Sequence, residues 1–204
     1  MRLILVRHGE TIWNAEGKYQ GILDIQLSDK GRREAEMAAR WLENEHIDAI
    51  YSSYLSRAQE TAEIIARPHN LPVQVYEDLG EINFGDWEGL TAAEIKEAFG
   101  VETYRLWEEE PEQAIISGGD RMVEFAERVN RGIDNLVEAH PDQTVVAVTH
   151  GGLLMVLGCR IGGESLSCFR KYYHNNAAIS IVETEGDTLR FKVLNSQKHL
   201  EKEN

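Results

Sequence analysis

The chain has 204 residues, 42% hydrophobic and 27% charged, proportions that suit an ordinary globular protein with apolar material for one core. Thirty-five Asp and Glu against 21 Lys and Arg give a formal net charge of −14. Such a surface repels nucleic acid and anionic lipid, whose binding runs on clustered Lys and Arg, so an anionic small ligand would need a local pocket of individual arginines.

Arg2–Val6 is a short apolar run broken by Arg7-His8-Gly9, the pattern of a buried strand that ends in a polar loop. Ser28 is placed to cap a helix whose apolar face carries Ala35, Ala38, Ala39 and Leu42. Asp48–Tyr51 reads as a second strand. Leu55, Ala58, Ala62 and Ile65 mark a second amphipathic helix that stops before Pro68. Val73–Tyr76 reads as a third strand, and two short helical patterns follow over Ala92–Phe99 and Glu102–Glu109. After Gly118-Gly119, the spacing of Met122, Phe125, Val129, Ile133 and Leu136 predicts a long helix. Thr144–Val148 is another fully apolar strand, ending at Thr149-His150-Gly151-Gly152, with a helix expected from about Leu153. Ile179 and Ile181 fall in a late strand. Glu185-Gly186-Asp187 supplies a turn, and Leu189, Phe191 and Val193 alternate with Arg190 and Lys192 in the last strand. This order predicts an α/β fold, a three-layer α/β/α sandwich with a mostly parallel central sheet. The expected organisation is one domain over residues 1–204 with a small helical cap insertion at about 90–118.

No apolar run approaches the ~20 residues of a membrane span, and Met1–Val6 enters a strand too early for a signal peptide. The two cysteines, Cys159 and Cys168, form no metal-ligand pattern. The expected location is therefore the reducing cytoplasm.

Two apolar strands each lead into a histidine. Ligands of open α/β sheets bind beyond the carboxyl ends of the strands, so if these strands are neighbours, His8 and His150 share one crevice. The glycines that follow (Gly9; Gly151, Gly152) would let a ligand approach the backbone. Either histidine alone reads as a strand end at the surface; the pair, with Arg7 beside one, reads as a site. There is no His-Glu-x-x-His or Cys-x-x-Cys spacing, and no metal or other cofactor is expected.

Leu5-Val6-Arg7-His8-Gly9-Glu10-Thr11 followed by Trp13-Asn14 closely resembles the signature of the histidine phosphatase superfamily, also called the phosphoglycerate mutase-like family. The resemblance continues in order through Tyr19-Gln20-Gly21, Leu27-Ser28, Gly31, Tyr51-Ser52-Ser53, Arg57-Ala58, Thr61-Ala62, Leu79-Gly80-Glu81-Ile82, Gly85-Asp86-Trp87-Glu88-Gly89 and Thr149-His150-Gly151. It implies a metal-independent phosphomonoesterase that works on a small phosphorylated metabolite through a phosphohistidine. His8 would be the nucleophile. Arg7, Arg57 and His150 would surround the phosphoryl group, where a planar, permanently charged guanidinium suits the equatorial oxygens. Asn14, Gln20, Gly21 and Gly151 would add hydrogen bonds around it, and Glu81 would serve as general acid and base. Taken alone, Arg57 reads as a surface charge, Asn14 as a turn residue and Gln20 as an exposed amide.

The same superfamily contains mutases, which must hold a second phosphate. Here the stretch Glu81–Glu112 carries ten acidic residues against Lys96 and Arg105, which predicts hydrolysis and not cofactor-dependent phosphoglycerate mutation. Glu81–Leu90 and the ending Val193-Leu194-Asn195-Ser196 resemble α-ribazole-5′-phosphate phosphatases. Metal-independent phosphoserine phosphatases and broad-specificity sugar-phosphate phosphatases carry similar segments. Trp87, Tyr104 and Trp107 read either as the lining of a cap or as packing residues. A phospho-ligand-binding protein without turnover is the alternative of another class. The final strand, Leu189–Val193, is a candidate sheet edge for pairing in a homodimer.

Overall fold

The computed structural model describes residues 1–186 and 188–201; Asp187, the last residue of the predicted turn, lies outside them. Among the described residues, six strands form one sheet: β1 (Arg2–Arg7), β2 (Ala49–Ser52), β3 (Val73–Val75), β4 (Thr144–Thr149), β5 (Ile179–Glu185) and β6 (Thr188–Ser196). Their spatial order is β3-β2-β4-β1-β5-β6. The first four are parallel to one another, β5 is antiparallel to β1, and β6 is antiparallel to β5. The sheet is therefore mixed but mostly parallel, as the element order predicts.

Burial explains the continuous apolar runs of β1 and β4, because both faces of the central strands are covered by helices. One face of the sheet offers Ile4, Val6, Ile50, Val146 and Val148 to α2 (Asp29–Leu42) and α3 (Ser56–Ala66). The other offers Leu3, Leu5, Val145 and Ala147 to α6 (Met122–Ala139) and α7 (Gly151–Gly162). The chain runs outward from β1 to β2 and β3, then returns to insert β4 between β2 and β1. Right-handed crossovers put the helices of the outward run on one face and the returning helix on the other.

Ser28 caps α2 through its side chain to the Gly31 amide, as its position predicts. Helix α3 ends at Ala66, and Pro68 sits in a short 3-10 turn, where its missing N–H costs nothing. Helix α7 begins at Gly151, two residues before the predicted start. Two glycines hide a helix start from pattern reading, yet the His150 carbonyl already accepts the Leu154 amide. A four-residue helix, α1 (Ile12–Ala15), has no periodic pattern and exists because Thr11 and Asn14 form a capping box. Between β3 and α6 lie α4 (Ala92–Phe99) and α5 (Val101–Glu109). Tyr19, Phe84, Trp107 and Phe169 tie this segment down in a chain of edge-to-face contacts with ring centroids 4.9, 5.2 and 5.3 Å apart. Strand β6 is an edge of the sheet. No single helix among the described residues is long and apolar enough to cross a membrane.

Candidate active site

Strands β1 and β4 are adjacent and in register, with Arg7 opposite Thr149. The residues just past their carboxyl ends therefore meet: the rings of His8 and His150 are 5.1 Å apart, centroid to centroid. This is the reversal point of the sheet, where β4 returns beside β1, and it opens into a cavity of about 220 Å³.

His8 is buried and held in one tautomer. Its Nδ1 lies 2.7 Å from the Gly9 carbonyl oxygen, which can only accept, so Nδ1 carries the proton and Nε2 the free lone pair. Burial, then Arg57 and Arg7, push the imidazole well below its ordinary pKa, so it is neutral at neutral pH. The surrounding loop is fixed from three sides. The Gly9 amide donates to Thr61 of α3, the Ala177 amide donates to the His8 carbonyl, and the Asn176 amide reaches the carbonyls of His8 and Gly9. Ala177 makes its contact from a left-handed backbone, φ 54°.

His150 is fully buried, and neither ring nitrogen has a partner among the described residues. Burial first, then Arg57, His8 and Arg7, hold it well below its ordinary pKa. A buried imidazole with both nitrogens unpaired is costly unless a ligand completes it.

Two arginines flank the histidines. Arg57 is 1% exposed, which removes the surface-charge reading. Its two terminal nitrogens donate to the carbonyls of Leu23 and Gly21, while Nε has no partner. Arg7 donates to the His174 carbonyl at 2.6 Å and to the Tyr173 hydroxyl at 3.2 Å, and its Nε is likewise unpaired. Buried guanidinium nitrogens without partners, beside an unpartnered imidazole, form a site for an anion.

Asn14 and Gln20 line the same cavity. The Asn14 Oδ1 accepts from the Thr11 amide and from Asn176, and the Thr11 hydroxyl lies 2.9 Å from the Gln20 Oε1. The carbonyl ends of both amides are thus engaged, and their NH₂ groups are what remains to donate. Gly21 takes φ 52°, and a Cβ there would fall 1.8 Å from the Glu88 Oε1. Its carbonyl is taken by Arg57, so Gly21 acts on that guanidinium.

Glu81 is half-buried in the cavity wall. Its Oε1 accepts from the Ile82 amide and its Oε2 from the Gly152 amide, both at 3.0 Å. Gly151 and Gly152 open α7, whose N-terminal amides add positive potential.

Gly151 and Gly152 line the cavity, and Gly9 and Gly152 also make room for neighbouring groups. A Cβ on Gly9 would fall 2.4 Å from the Gly31 carbonyl oxygen, and one on Gly152 would fall 2.3 Å from the Glu81 Oε1. Gly9 thus admits α2, and Gly152 admits the carboxylate. Trp107 lines the cavity, whereas Trp87 and Tyr104 are packing residues behind it.

The electrostatic premise behind the phosphatase expectation also needs correction. The acids of Glu81–Glu112 do not crowd the cavity, since of them Glu81 alone lines it. Glu102, Glu109 and Glu110 surround Arg105, Glu108 pairs with Arg170, and Glu94 caps α4. The outer wall is apolar, with Ile82, Phe84, Trp107, Met122, Phe125 and Phe169, and its mouth carries Lys18, Arg170 and Tyr173. An apolar wall, not negative charge, is what a second phosphate would meet.

Pattern reading missed Gly152 as a donor, Asn176 as a brace and the His174 carbonyl as the anchor of Arg7. Gly152 stood in a visible Gly-Gly pair; the other two follow only from β5 lying beside β1.

Residues 3–197 match the family model "Histidine phosphatase superfamily (branch 1)", and the chain belongs to that superfamily. It is 38% identical over 185 residues to Phosphoserine phosphatase 1 of Hydrogenobacter thermophilus, a match covering 91% of this chain and 87% of that one. It is 32% identical over 197 residues to the adenosylcobalamin/alpha-ribazole phosphatase of Escherichia coli, covering 97% of each. The solved structure of Bacillus stearothermophilus YhfR superposes with a TM-score of 0.93 at 33% identity, covering 98% of this chain and 99% of that one. With these relatives the protein is a hydrolase of the phosphatase type.

Proposed function

We propose that the protein hydrolyses small phosphomonoesters by way of a phosphohistidine on Nε2 of His8, with Glu81 as the acid and base. The observation that carries this reading is the His8 tautomer: Nδ1–H is tied to the Gly9 carbonyl, which leaves Nε2 as a neutral nucleophile beside Arg7 and Arg57. In the first step the Nε2 lone pair forms a bond to phosphorus as the P–O bond to the alcohol breaks. The departing oxygen takes the proton of the Glu81 carboxyl. In the second step the oxygen of a water attacks phosphorus, the P–N pair returns to Nε2, and the water's proton passes to Glu81. Arg7, Arg57, His150 and the amides of Asn14 and Gln20 hold the equatorial oxygens, where fixed donors stabilise the transferring group most.

The apolar wall favours an alcohol with a ring or other apolar body, and α-ribazole 5′-phosphate is the first candidate, as for the E. coli relative. Phosphoserine is the second, supported by the identity to the Hydrogenobacter enzyme and by Lys18 and Arg170 at the mouth. Phosphate release in EDTA should be compared across α-ribazole 5′-phosphate, phosphoserine, 3-phosphoglycerate and p-nitrophenyl phosphate, with His8→Ala as control. Release that persists in EDTA and vanishes in His8→Ala supports the mechanism. Turnover in His8→Ala equal to wild type would overturn it, and interconversion of phosphoglycerates without phosphate release would make the protein a mutase.

A further inference from the structure

The catalytic carboxyl sits on a loop without regular structure, yet a general acid must hold its place to within a fraction of an ångström. Contacts from three other elements hold the segment Asp78–Glu81. The Thr149 hydroxyl donates to the Leu79 carbonyl at 2.7 Å, and the Gly152 amide receives the carboxylate. The third is Arg128 of α6, whose guanidinium spans the segment. One terminal nitrogen donates to the Gly80 carbonyl at 3.0 Å and more weakly to Asp78 at 3.4 Å; the other donates to the carbonyl of Glu81 itself at 2.9 Å.

The packing is shaped around this side chain. A Cβ on Gly132, one turn further along α6, would fall 2.6 Å from the Asp78 Cβ, so the helix lies directly against the segment. Arg131 pairs with the Asp78 carboxylate at 2.9 Å. Arg128 does not line the main cavity. It lines a second, polar cavity of about 460 Å³ that also reaches Glu81, and not the cavity that holds His8.

We propose that Arg128 is a positioning residue for the general acid, its planar fork fixing the backbone of Gly80 and Glu81 so that the carboxyl meets the leaving oxygen. This rests on the assignment of Glu81 as acid made above. Lysine reproduces the role only in part, because its ammonium is a point donor on a flexible stem and lacks the rigid planar fork.

The dependence on leaving group tests this. Expulsion of p-nitrophenolate needs little protonation, whereas expulsion of a benzyl alkoxide needs the acid, and both substrates carry one ring for the apolar wall. The readout is the ratio of kcat/KM for p-nitrophenyl phosphate to that for benzyl phosphate, since kcat/KM reports the first transfer. Glu81→Gln should raise this ratio by about a hundredfold. Arg128→Met should raise it by about tenfold or more, and Arg128→Lys by an intermediate factor, while inhibition by vanadate changes less than about threefold. The ring of Phe125, over which Arg128 also lies, affects both substrates alike and cancels in the ratio. If Arg128→Met does not fold, as judged by loss of vanadate binding, Arg128→Lys is read by the same ratio. Equal loss on both substrates, or no change, with Glu81→Gln still shifting the ratio, would overturn the role of Arg128 alone. No shift in Glu81→Gln would overturn the assignment of the acid, and this inference with it.

Discussion

At the scale of single residues, the site is a set of buried groups whose hydrogen bonding is left partly incomplete among the described residues. Arg57 shows the division: two terminal nitrogens hold the loop at Gly21 and Leu23, and Nε is unpaired. Arg57→Lys should therefore fail on both counts. Loss of one fixed donor to a transferring phosphoryl group lowers kcat by about a hundredfold or more. The carbonyls of Gly21 and Leu23, left without the fork, should also lower stability by about 1–3 kcal/mol. Steady-state kinetics with urea unfolding would read both; wild-type kcat in Arg57→Lys would show that Arg57 only holds the loop.

At the scale of elements, α7 and the loop after β1 each present a glycine to a neighbour, and the two should respond oppositely to alanine. Gly152 lies in the first turn of α7 with ordinary backbone angles, and an added Cβ meets the Glu81 carboxylate, the end of a side chain that can swing away. Gly152→Ala should keep or slightly raise stability, because alanine is the better helix former by about 0.5–1 kcal/mol. It should lower turnover of alkyl phosphates by about tenfold or more through the displaced carboxyl. In Gly9→Ala the added Cβ meets the backbone of Gly31, which cannot swing aside, and about 1–3 kcal/mol of stability should be lost. Thermal melts of the two variants, run beside benzyl phosphate assays, would separate the cases. A destabilised Gly152→Ala would contradict the account of α7.

At the scale of the whole molecule, buried histidines link stability to pH. His8, His150 and His174 all lie well below their ordinary pKa chiefly through burial, and His174 falls to about 4. Below about pH 6.5 the unfolded chain takes up protons that the folded chain refuses, so stability is full above that pH and is lost as pH falls toward the folded values. His174 alone should contribute up to about 3 kcal/mol of this loss. Its Nδ1 is tied to the Tyr172 carbonyl, so Nε2 accepts from Ser180, and a protonated ring would have to reverse that bond while its charge stayed buried. Urea unfolding at pH 7.5 and pH 5 should show the decline, and His174→Gln should flatten it at some cost in stability at pH 7.5. A pH-independent midpoint in the wild type would refute the linkage.

How far the sequence alone reaches differs from one element to the next. Apolar runs and helical periodicity marked β1, β4, α2, α3 and α6, because burial on one or both faces writes itself into local pattern. The ordered motifs marked His8, Arg7, Arg57, Glu81 and His150. Helix α1, the true start of α7 and the anchors of Arg7 at Tyr173 and His174 left no periodic trace, since they are made by caps and by segments distant in sequence. The acidic stretch Glu81–Glu112 misled for the same reason: charge is counted along the chain, but a cavity responds to which side chains face it, and apart from Glu81 those acids turn to Arg105, Arg170, backbone amides and solvent.

By itself, then, the sequence determined the layers, the strand ends and the chemical inventory of the site, all of which depend on neighbours a few residues away. Only the tertiary structure decided that β4 inserts beside β1, that the His174 carbonyl anchors Arg7 and that α6 braces Glu81 through Arg128. Each of those outcomes is a contact whose geometry arises when chain-distant elements pack, and no local pattern records it.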